Sequence, residues 1–284
     1  MTERKKVTIQ TLNEMKEKGE PISMLTCYDY PMALLEEKAG MDIILVGDSL
    51  GMTVYGMDST LPVTMDMMVN HAKAVRKGAP TAFLVGDMPY MSYQVSKEEA
   101  IRNAGRLMAE AECDAVKLEG GKEMAETIEA MVKATIPVMG HIGLTPQSIA
   151  QMGGFKAQGR SAEGALKLVE DAKALEQAGA SLLLVEAVPP PVLSEITKAL
   201  SIPVISLGAG EDAAGQLLIV HDILGFFDRF VPKFVKKYAD MNSAIYDGLK
   251  SYVDEVKSGK YPEEKYTYGM KPEEVEKFKE LLKA

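Results

Sequence analysis

Short apolar segments rich in β-branched residues alternate with helical segments along almost the whole chain, and this alternation constrains the fold most strongly. Continuous apolar strands separated by helices indicate a parallel sheet that is covered on both faces. Eight such segments are present, and this number favours closure of the sheet into a barrel. The segments are 22–27, 42–46, 81–85, 115–118, 137–139, 181–185, 203–206 and 216–220.

The segments between the strands have helical character, and no linker divides the chain. Segment 96–112 carries apolar residues at helical spacing, segment 162–177 does the same, and Pro272 begins a last helix. No Gly-x-Gly-x-x-Gly follows the first strand, which argues against an open dinucleotide-binding sheet. We predict one domain over residues 1–284: an α/β protein with a (β/α)8 TIM barrel, an N-terminal helix and a C-terminal helical extension over about 240–284.

The charge balance and the cysteines restrict the partners and the compartment. A net charge of −9 without a basic stripe argues against a nucleic-acid partner, and no apolar run approaches the ~20 residues of a membrane span. Cys27 and Cys113 suit reduced thiols, because two isolated cysteines form neither a disulfide framework nor a soft-metal site. We therefore expect a cytoplasmic protein without a nucleic-acid or membrane partner.

Polar side chains stand at the carboxyl ends of five predicted strands, where barrel enzymes build their active sites. Four carboxylates, one ammonium group and one imidazole should therefore converge on one mouth. The residues are Asp48 and Ser49 after the second strand, Asp87 after the third, Lys117 and Glu119 around the end of the fourth, His141 after the fifth and Glu186 after the sixth.

The four acids together point to a bound metal ion. A single Asp at a strand end is often a helix N-cap, and either Asp48 or Asp87 alone fits that role about as well. Clustered carboxylates, however, repel one another unless a cation or shared protons compensate. Ligands made only of carboxylate oxygens suit a hard cation, and Mg²⁺ fits better than zinc. We predict Asp48, Asp87 and Glu119 as Mg²⁺ ligands.

The remaining polar features have more than one interpretation. Lys117 lies in an apolar strand, where an unpaired ammonium group is costly, so we expect it to pair with a substrate carboxylate. His141 fits a hydrogen bond to a substrate oxygen and a structural role equally well. Segment 153–160 is polar and glycine-rich, as in a lid. The stretch 208–210 is either a phosphate-binding turn or a plain tight turn.

Four long motifs identify a resemblance to a known family. They occupy residues 46–52, 58–64, 116–121 and 140–148, and the likeness extends from about 28 to 261. Together they resemble the ketopantoate hydroxymethyltransferases, the 3-methyl-2-oxobutanoate hydroxymethyltransferases of pantothenate synthesis.

The resemblance implies a magnesium-dependent barrel enzyme that transfers a hydroxymethyl group from 5,10-methylenetetrahydrofolate to 3-methyl-2-oxobutanoate through a Mg-stabilised enolate. The products would be 2-dehydropantoate, a precursor of coenzyme A, and tetrahydrofolate. By this resemblance Asp48, Asp87 and Glu119 match the metal-site acids, and Glu186 matches the proton acceptor. The matching substrate contacts are Asp48, Ser49, Asp87, Lys117 and His141. The resemblance also implies self-association into a homodecamer, a ring of dimers.

The chain departs from the family pattern around the seventh and eighth strands. Ser206-Leu207-Gly208-Ala209-Gly210 stands where relatives usually have Gly-Ile-Gly-Ala-Gly, and Ala213-Ala214-Gly215-Gln216 stands where they often have Cys-Asp-Gly-Gln. Both stretches lie away from the predicted metal ligands.

Two other functions are compatible with a barrel of this kind. A magnesium-dependent lyase or mutase of the phosphoenolpyruvate mutase and isocitrate lyase group should carry a catalytic cysteine in a loop after a strand, whereas Cys113 precedes a strand. A non-catalytic barrel scaffold predicts a broken set of acids, whereas this set is intact.

Overall fold

A computed structural model shows a closed barrel of eight parallel strands in sequential order, β1 to β8, as the alternating pattern predicts. The structure describes residues 4–227 and 231–283. The strands are β1 (Ile22–Thr26), β2 (Ile43–Val46), β3 (Phe83–Asp87), β4 (Ala115–Glu119), β5 (Val138–Gly143), β6 (Leu182–Glu186), β7 (Val204–Leu207) and β8 (Gly215–Leu218).

Twelve α-helices surround and extend the barrel in the described part of the chain. The helices are α1 (Ile9–Lys18), α2 (Tyr30–Ala39), α3 (Leu50–Thr53), α4 (Met65–Gly78), α5 (Lys97–Ala111), α6 (Ala125–Lys133), α7 (Ile149–Met152), α8 (Ala162–Gln177), α9 (Pro190–Ala199), α10 (Val220–Ile223), α11 (Met241–Ser258) and α12 (Pro272–Leu281). The predicted helices at 96–112 and 162–177, the N-terminal helix and the C-terminal helical extension are all present.

The strand boundaries differ from the predicted ones in a way that matters for the site. Asp87 and Glu186 are the last residues of β3 and β6, and His141 lies inside β5, whereas the sequence placed all three after their strands. Parallel pairing continues past the apolar runs, so polar residues take part in the sheet.

The eighth strand was predicted too far along the chain. It ends at Leu218 rather than Val220, because the Val220 N–H donates to Thr26 Oγ1 (3.1 Å) and starts α10. Gly215 meets a spatial requirement of this closure, since an added Cβ would lie 2.4 Å from the carbonyl oxygen of Ile22 in β1.

The barrel has two apolar layers because side chains alternate along each strand. In β2, Ile43 and Leu45 point into the barrel interior, while Ile44 and Val46 pack beneath the outer helices. The interior layer also contains Leu12 of α1, so the N-terminal helix closes the amino end of the barrel. The opposite, carboxyl end is left open for a site.

A buried arginine ties the helices to the strands at the amino end. Arg76 of α4 donates from Nε to Glu112 O (3.0 Å) and from Nη1 to Ala79 O (3.0 Å) and Ala82 O (3.2 Å). Its Nη2 lies 2.5 Å from Asp114 Oδ2. We call these five residues the Arg76 cluster. All three guanidinium nitrogens therefore have partners, and the planar group with its several donors suits this buried position.

The C-terminal extension contrasts with the barrel, because neither α11 nor α12 contains a buried residue. One face of α11 exposes apolar side chains, among them Tyr246 and Leu249, each 62% exposed. Within residues 4–227 and 231–283, no helix combines the length and apolarity needed to cross a bilayer.

Candidate active site

The cavity at the carboxyl end of the barrel brings together all seven residues singled out in the sequence. Its volume is about 440 Å³, within the range of small-molecule sites. Its lining includes Asp48, Ser49, Asp87, Lys117, Glu119, His141 and Glu186.

Alternation along the strands explains why these polar side chains face inward. In β4, Ala115 belongs to the interior layer and Val116 and Leu118 to the outer one, so Lys117 and Glu119 point into the barrel. The site is therefore the topmost layer of the barrel interior. The same alternation places Asp87 above Val85, His141 above Met139 and Glu186 above Leu184.

Lys117 is the positive centre of the site. Its Nζ lies 2.8 Å from Asp87 Oδ1 and 3.8 Å from Glu119 Oε1, and all three side chains are buried. Burial disfavours the ammonium group, but the charges of Asp87, Glu119 and Asp48 outweigh this effect and raise the pKa of Lys117. Lys117 therefore stays charged at neutral pH.

His141 lies between two glutamates. Its Nδ1 is 3.5 Å from Glu119 Oε1, and its Nε2 is 3.2 Å from Glu186 Oε2. Burial and the Lys117 ammonium group lower the pKa of His141, but both glutamates outweigh them and raise it. Burial raises the pKa of Glu186 despite the opposing contact with His141. A carboxylate with a raised pKa beside an imidazole suits proton transfer at neutral pH.

Asp48 and Asp87 are not helix caps, which removes the alternative explanation for each of them. Ser49 is the N-cap of α3 and Ser96 that of α5. The Asp48 N–H instead donates to Asp87 Oδ2 (3.1 Å), so the carboxyl ends of β2 and β3 are joined. Burial raises the pKa of Asp48 well above its ordinary value, and the charges of Asp87 and Glu119 add to the shift.

The acids fit a hard cation that keeps other ligands. In the described part of the chain, no three His, Cys, Asp or Glu side chains are arranged to hold a metal ion by themselves. Asp48 and Asp87 nevertheless offer only oxygen, and burial raises the pKa of Asp87 although Lys117 opposes the shift. A bound cation would offset the repulsion between the carboxylates of Asp48 and Asp87. Mg²⁺ usually combines one or two carboxylates with water and substrate oxygens, so this donor set suits it.

Two functional candidates, Gln147 and Tyr93, were missed in the sequence. Gln147 follows β5 in a short 3-10 turn, and its Nε2 donates to Asp48 Oδ2 (2.9 Å). The Tyr93 hydroxyl donates to Gln147 Oε1 (2.7 Å). Gln147 was part of a recognised motif, but no sequence signal shows that its side chain turns toward an acid 99 residues away.

Ser49 is held by an aromatic side chain. Its Oγ lies 2.8 Å from the Tyr28 hydroxyl, and either group can donate. Burial raises the pKa of Tyr28, although Ser49 opposes the shift, so this tyrosine stays neutral. His71 and His221 contact Tyr28 from behind and do not line the cavity. Ser49 is thus presented to the cavity as a neutral hydrogen-bonding group.

Two loops border the cavity. Phe155 and Lys156, from the segment predicted as a lid, line it, and Gln158 N donates to Ala187 O (3.0 Å) just after β6. The stretch 208–210 forms a tight turn. Ser206 Oγ donates to Gly210 O (2.8 Å) and accepts the N–H of Ala209 (3.2 Å). The departure from glycine at position 206 therefore supplies the hydroxyl that closes this turn.

Neither cysteine is placed for nucleophilic catalysis. Cys113 lies before β4, at the amino end of the barrel, and burial raises its pKa to about 12. Cys27 is also buried, and burial raises the pKa of its thiol. A lyase of the kind considered above needs a thiolate at the mouth, so this geometry argues against it.

The comparison with solved structures shows the fold. A crystal structure titled as phosphonopyruvate hydrolase in complex with oxalate and Mg++ aligns with a TM-score of 0.61, covering 98% of this chain and 97% of that chain at 13% identity. A 2,3-dimethylmalate lyase of the PEP mutase/isocitrate lyase superfamily aligns with a TM-score of 0.58 at 16% identity, covering 97% of this chain and 96% of that one. At such identity the likeness concerns the barrel alone.

The comparison of sequences shows the family. The family model described as ketopantoate hydroxymethyltransferase matches residues 6–264. The 3-methyl-2-oxobutanoate hydroxymethyltransferase of Carboxydothermus hydrogenoformans is 52% identical over 272 residues, covering 96% of this chain and 99% of its own. The enzyme of the same name from Moorella thermoacetica is 53% identical over 268 residues, covering 94% and 100%. The chain therefore belongs to the ketopantoate hydroxymethyltransferase family, a family of transferases.

Proposed function

We propose that this chain transfers a hydroxymethyl group from 5,10-methylenetetrahydrofolate to 3-methyl-2-oxobutanoate, giving 2-dehydropantoate and tetrahydrofolate for pantothenate synthesis. The observation that carries the proposal is the meeting of Asp48, Asp87, Lys117, Glu119 and Glu186 in one buried cavity of a barrel from this family. Water is the third reactant, since it supplies the product hydroxyl when the methylene group leaves the folate nitrogen.

In this proposal the acids would hold Mg²⁺ and the neighbouring residues would bind the 2-oxo acid. Asp48, Asp87 and Glu119 would bind the ion, which would supply Lewis-acid stabilisation of negative charge on the substrate's keto oxygen. The Lys117 ammonium group, already beside Asp87, would attract the substrate carboxylate. Ser49 would contribute a further hydrogen bond.

Glu186 would act on the substrate's branched carbon. The Glu186 carboxylate takes the proton from that carbon, and His141, 3.2 Å away, stabilises the carboxyl group through its Nε2. The enolate carbon then forms a bond to the methylene carbon of the folate. Removal of that proton and activation of water for release of the folate are both compatible with Glu186, and isotope exchange separates them.

The remainder of the cavity suits a larger, flat co-substrate. Phe155, Phe227 and Phe234 line it, and aromatic side chains stack well on ring systems such as a pterin. Lys156 and Lys233 also line it and would attract the acidic tail of a folate. These residues support the folate donor.

The test is product formation by the purified protein. We expect 2-dehydropantoate, detected by mass, from 3-methyl-2-oxobutanoate, 5,10-methylenetetrahydrofolate and Mg²⁺, and no product with EDTA or with Asp87→Ala. Asp254→Ala, an exposed aspartate of α11, is the matched control and should retain the rate. Without folate, exchange of the substrate's branched-carbon proton for deuterium should continue; no product and no exchange would contradict the proposal.

We also propose a cytoplasmic location and self-association into a homodecamer built as a ring of dimers. Free, buried thiols at Cys27 and Cys113 support the first. The exposed apolar face of α11 supports the second, since such faces are usually covered by a partner. Light scattering should give ten chain masses, and Leu249→Lys should lower that mass; a monomer at micromolar concentration would contradict the assembly.

A further inference from the structure

Gln147 joins two of the acids that we propose as metal ligands. Its side-chain Nε2 donates to Asp48 Oδ2 (2.9 Å), and its backbone N–H donates to Glu119 Oε2 (2.9 Å). Asp48 follows β2 and Glu119 ends β4, so one residue spans two separate strand ends. Gln147 is itself 5% exposed, so water does not compete strongly for these bonds.

The orientation of the amide is fixed by its other contacts. Nε2 also donates to Met88 O (3.0 Å), a carbonyl that can only accept, so the nitrogen must face this side. Oε1 accepts the Tyr93 hydroxyl (2.7 Å). Every strong donor and acceptor of the side chain is therefore used, and the second Nε2 hydrogen is directed at Asp48.

The contacts of Gln147 leave one oxygen of Asp48 available, while the other oxygen of Glu119 faces Lys117 and His141. They use Oδ2 of Asp48 and Oε2 of Glu119, whereas Oδ1 of Asp48 accepts no hydrogen bond from any residue in 4–227 or 231–283. A neutral amide orients a carboxylate without adding a positive charge that would repel a cation. This combination is what a supporting residue behind metal ligands requires.

We propose that Gln147 is a positioning residue that fixes Asp48 relative to Glu119 and thereby sets the affinity of the site for a divalent cation. The proposal rests on the proposed function only in taking these acids as metal ligands. Gln147 touches neither the substrate nor the ion in this role and acts through Asp48. Tyr93 holds the amide of Gln147 in the required orientation.

The test is Mn²⁺ binding measured by electron paramagnetic resonance with saturating 3-methyl-2-oxobutanoate. Gln147→Met removes both side-chain donors at similar length, and Gln147→Asn keeps the amide but is one methylene too short to reach Asp48. Both keep the backbone N–H to Glu119. We expect the Kd for Mn²⁺ to rise about 10–100-fold in each variant, the usual cost of losing a residue behind metal ligands.

A matched control lies in the same turn. The Ser148 hydroxyl makes no hydrogen bond to the described residues, so Ser148→Ala should bind Mn²⁺ as the unaltered chain does. The activation constant for Mg²⁺ should rise with the Kd in the Gln147 variants, while kcat at saturating Mg²⁺ should recover.

Two results would overturn the proposal: a folded Gln147 variant with unaltered Mn²⁺ affinity, or no Mn²⁺ binding by the unaltered chain. Tighter binding in the unaltered chain than in the variants, without any hydroxymethyl transfer, would instead contradict only the proposed function.

Discussion

The mouth of the barrel and helix α2 both bury carboxylates, and of these two regions only the mouth compensates them. At the mouth of the barrel, Asp87 lies 2.8 Å from the Lys117 ammonium group. In α2, Glu36 is 4% exposed, and neither of its oxygens receives a hydrogen bond from a nitrogen or hydroxyl of the described residues. Burial raises the pKa of Glu36 to about 8, with a weak opposing contribution from the Cys27 thiol.

The difference shows what a charged acid needs inside a protein. No cation of residues 4–227 or 231–283 lies beside Glu36, and burial raises its pKa to about 8, so it carries a proton at neutral pH. The mouth acids have Lys117, His141 and the amide of Gln147 around them, and these groups oppose the effect of burial on the pKa values of the acids. The mouth acids are therefore surrounded by groups that suit them to catalysis, whereas Glu36 makes the free energy of unfolding depend on pH.

The largest expected effect separates the two settings by activity. Glu186→Gln removes the proposed base and should lower kcat by about 10²–10⁴-fold, the usual contribution of a general base. Glu36→Gln, the change at the other buried acid, should leave kcat unaltered because Glu36 does not line the cavity. Initial rates of 2-dehydropantoate formation measure both. Equal losses in the two variants would remove the distinction.

The next effect concerns the buried ammonium group of Lys117. Lys117→Met leaves Asp87 and Glu119 without their ammonium partner and should lower the free energy of unfolding by about 3–5 kcal/mol, as for other broken buried pairs. Urea unfolding in EDTA measures the loss. Lys198→Met, in an exposed pair with Glu195, is the control and should show no measurable loss. A Lys117→Met protein as stable as the control would show that the acids are already protonated.

The effect expected at Glu36 depends on pH, and over any single pH unit it is smaller than the loss at Lys117. Because its pKa is raised from 4.5 to about 8 in the folded chain, the native state binds the extra proton between these values. The stability that this proton provides is present below pH 4.5 and is lost as pH rises through 8, at up to about 1.4 kcal/mol per unit. Glu36→Gln should remove this dependence and become the more stable protein at pH 8. Parallel pH profiles would contradict a buried, protonated Glu36.

The smallest effect is expected for a carboxylate in a solvent-exposed ion pair. Lys97 and Glu126 form a 2.5 Å ion pair between α5 and α6, but both side chains are exposed. A double-mutant cycle with Lys97→Met and Glu126→Gln should give no measurable coupling at high salt, because solvent and salt screen such pairs. A coupling free energy as large as the stability lost in Lys117→Met would mean that burial is not what separates the mouth acids from exposed ones.

The fold and most of the site were predictable because both follow from local patterns. Uninterrupted apolar runs predict parallel strands that are buried on both faces. Acids at the carboxyl ends of several such strands predict one shared site at that end of the barrel. Asp48, Asp87, Lys117, Glu119 and Glu186 accordingly lie together.

Other features depend on contacts between distant segments and leave no local pattern. The hydrogen bond from Val220 to Thr26 ends β8 early, and the bond from Gln147 to Asp48 joins two loops. Glu36 is equally hidden, because its helix exposes Leu35 (61%) while burying the acid. From residue type alone, Leu35 would be placed inside the protein and Glu36 at its surface.

The Arg76 cluster has a consequence for altering this protein. It fastens α4 to the amino ends of β3 and β4, at the end of the barrel remote from the mouth. Libraries that randomise the mouth loops, such as 153–160, leave these contacts untouched. A search for variants that use a new acceptor can therefore begin in these loops without first adding stabilising substitutions. The contacts that anchor α4 and the loops that set acceptor specificity lie in different parts of the chain.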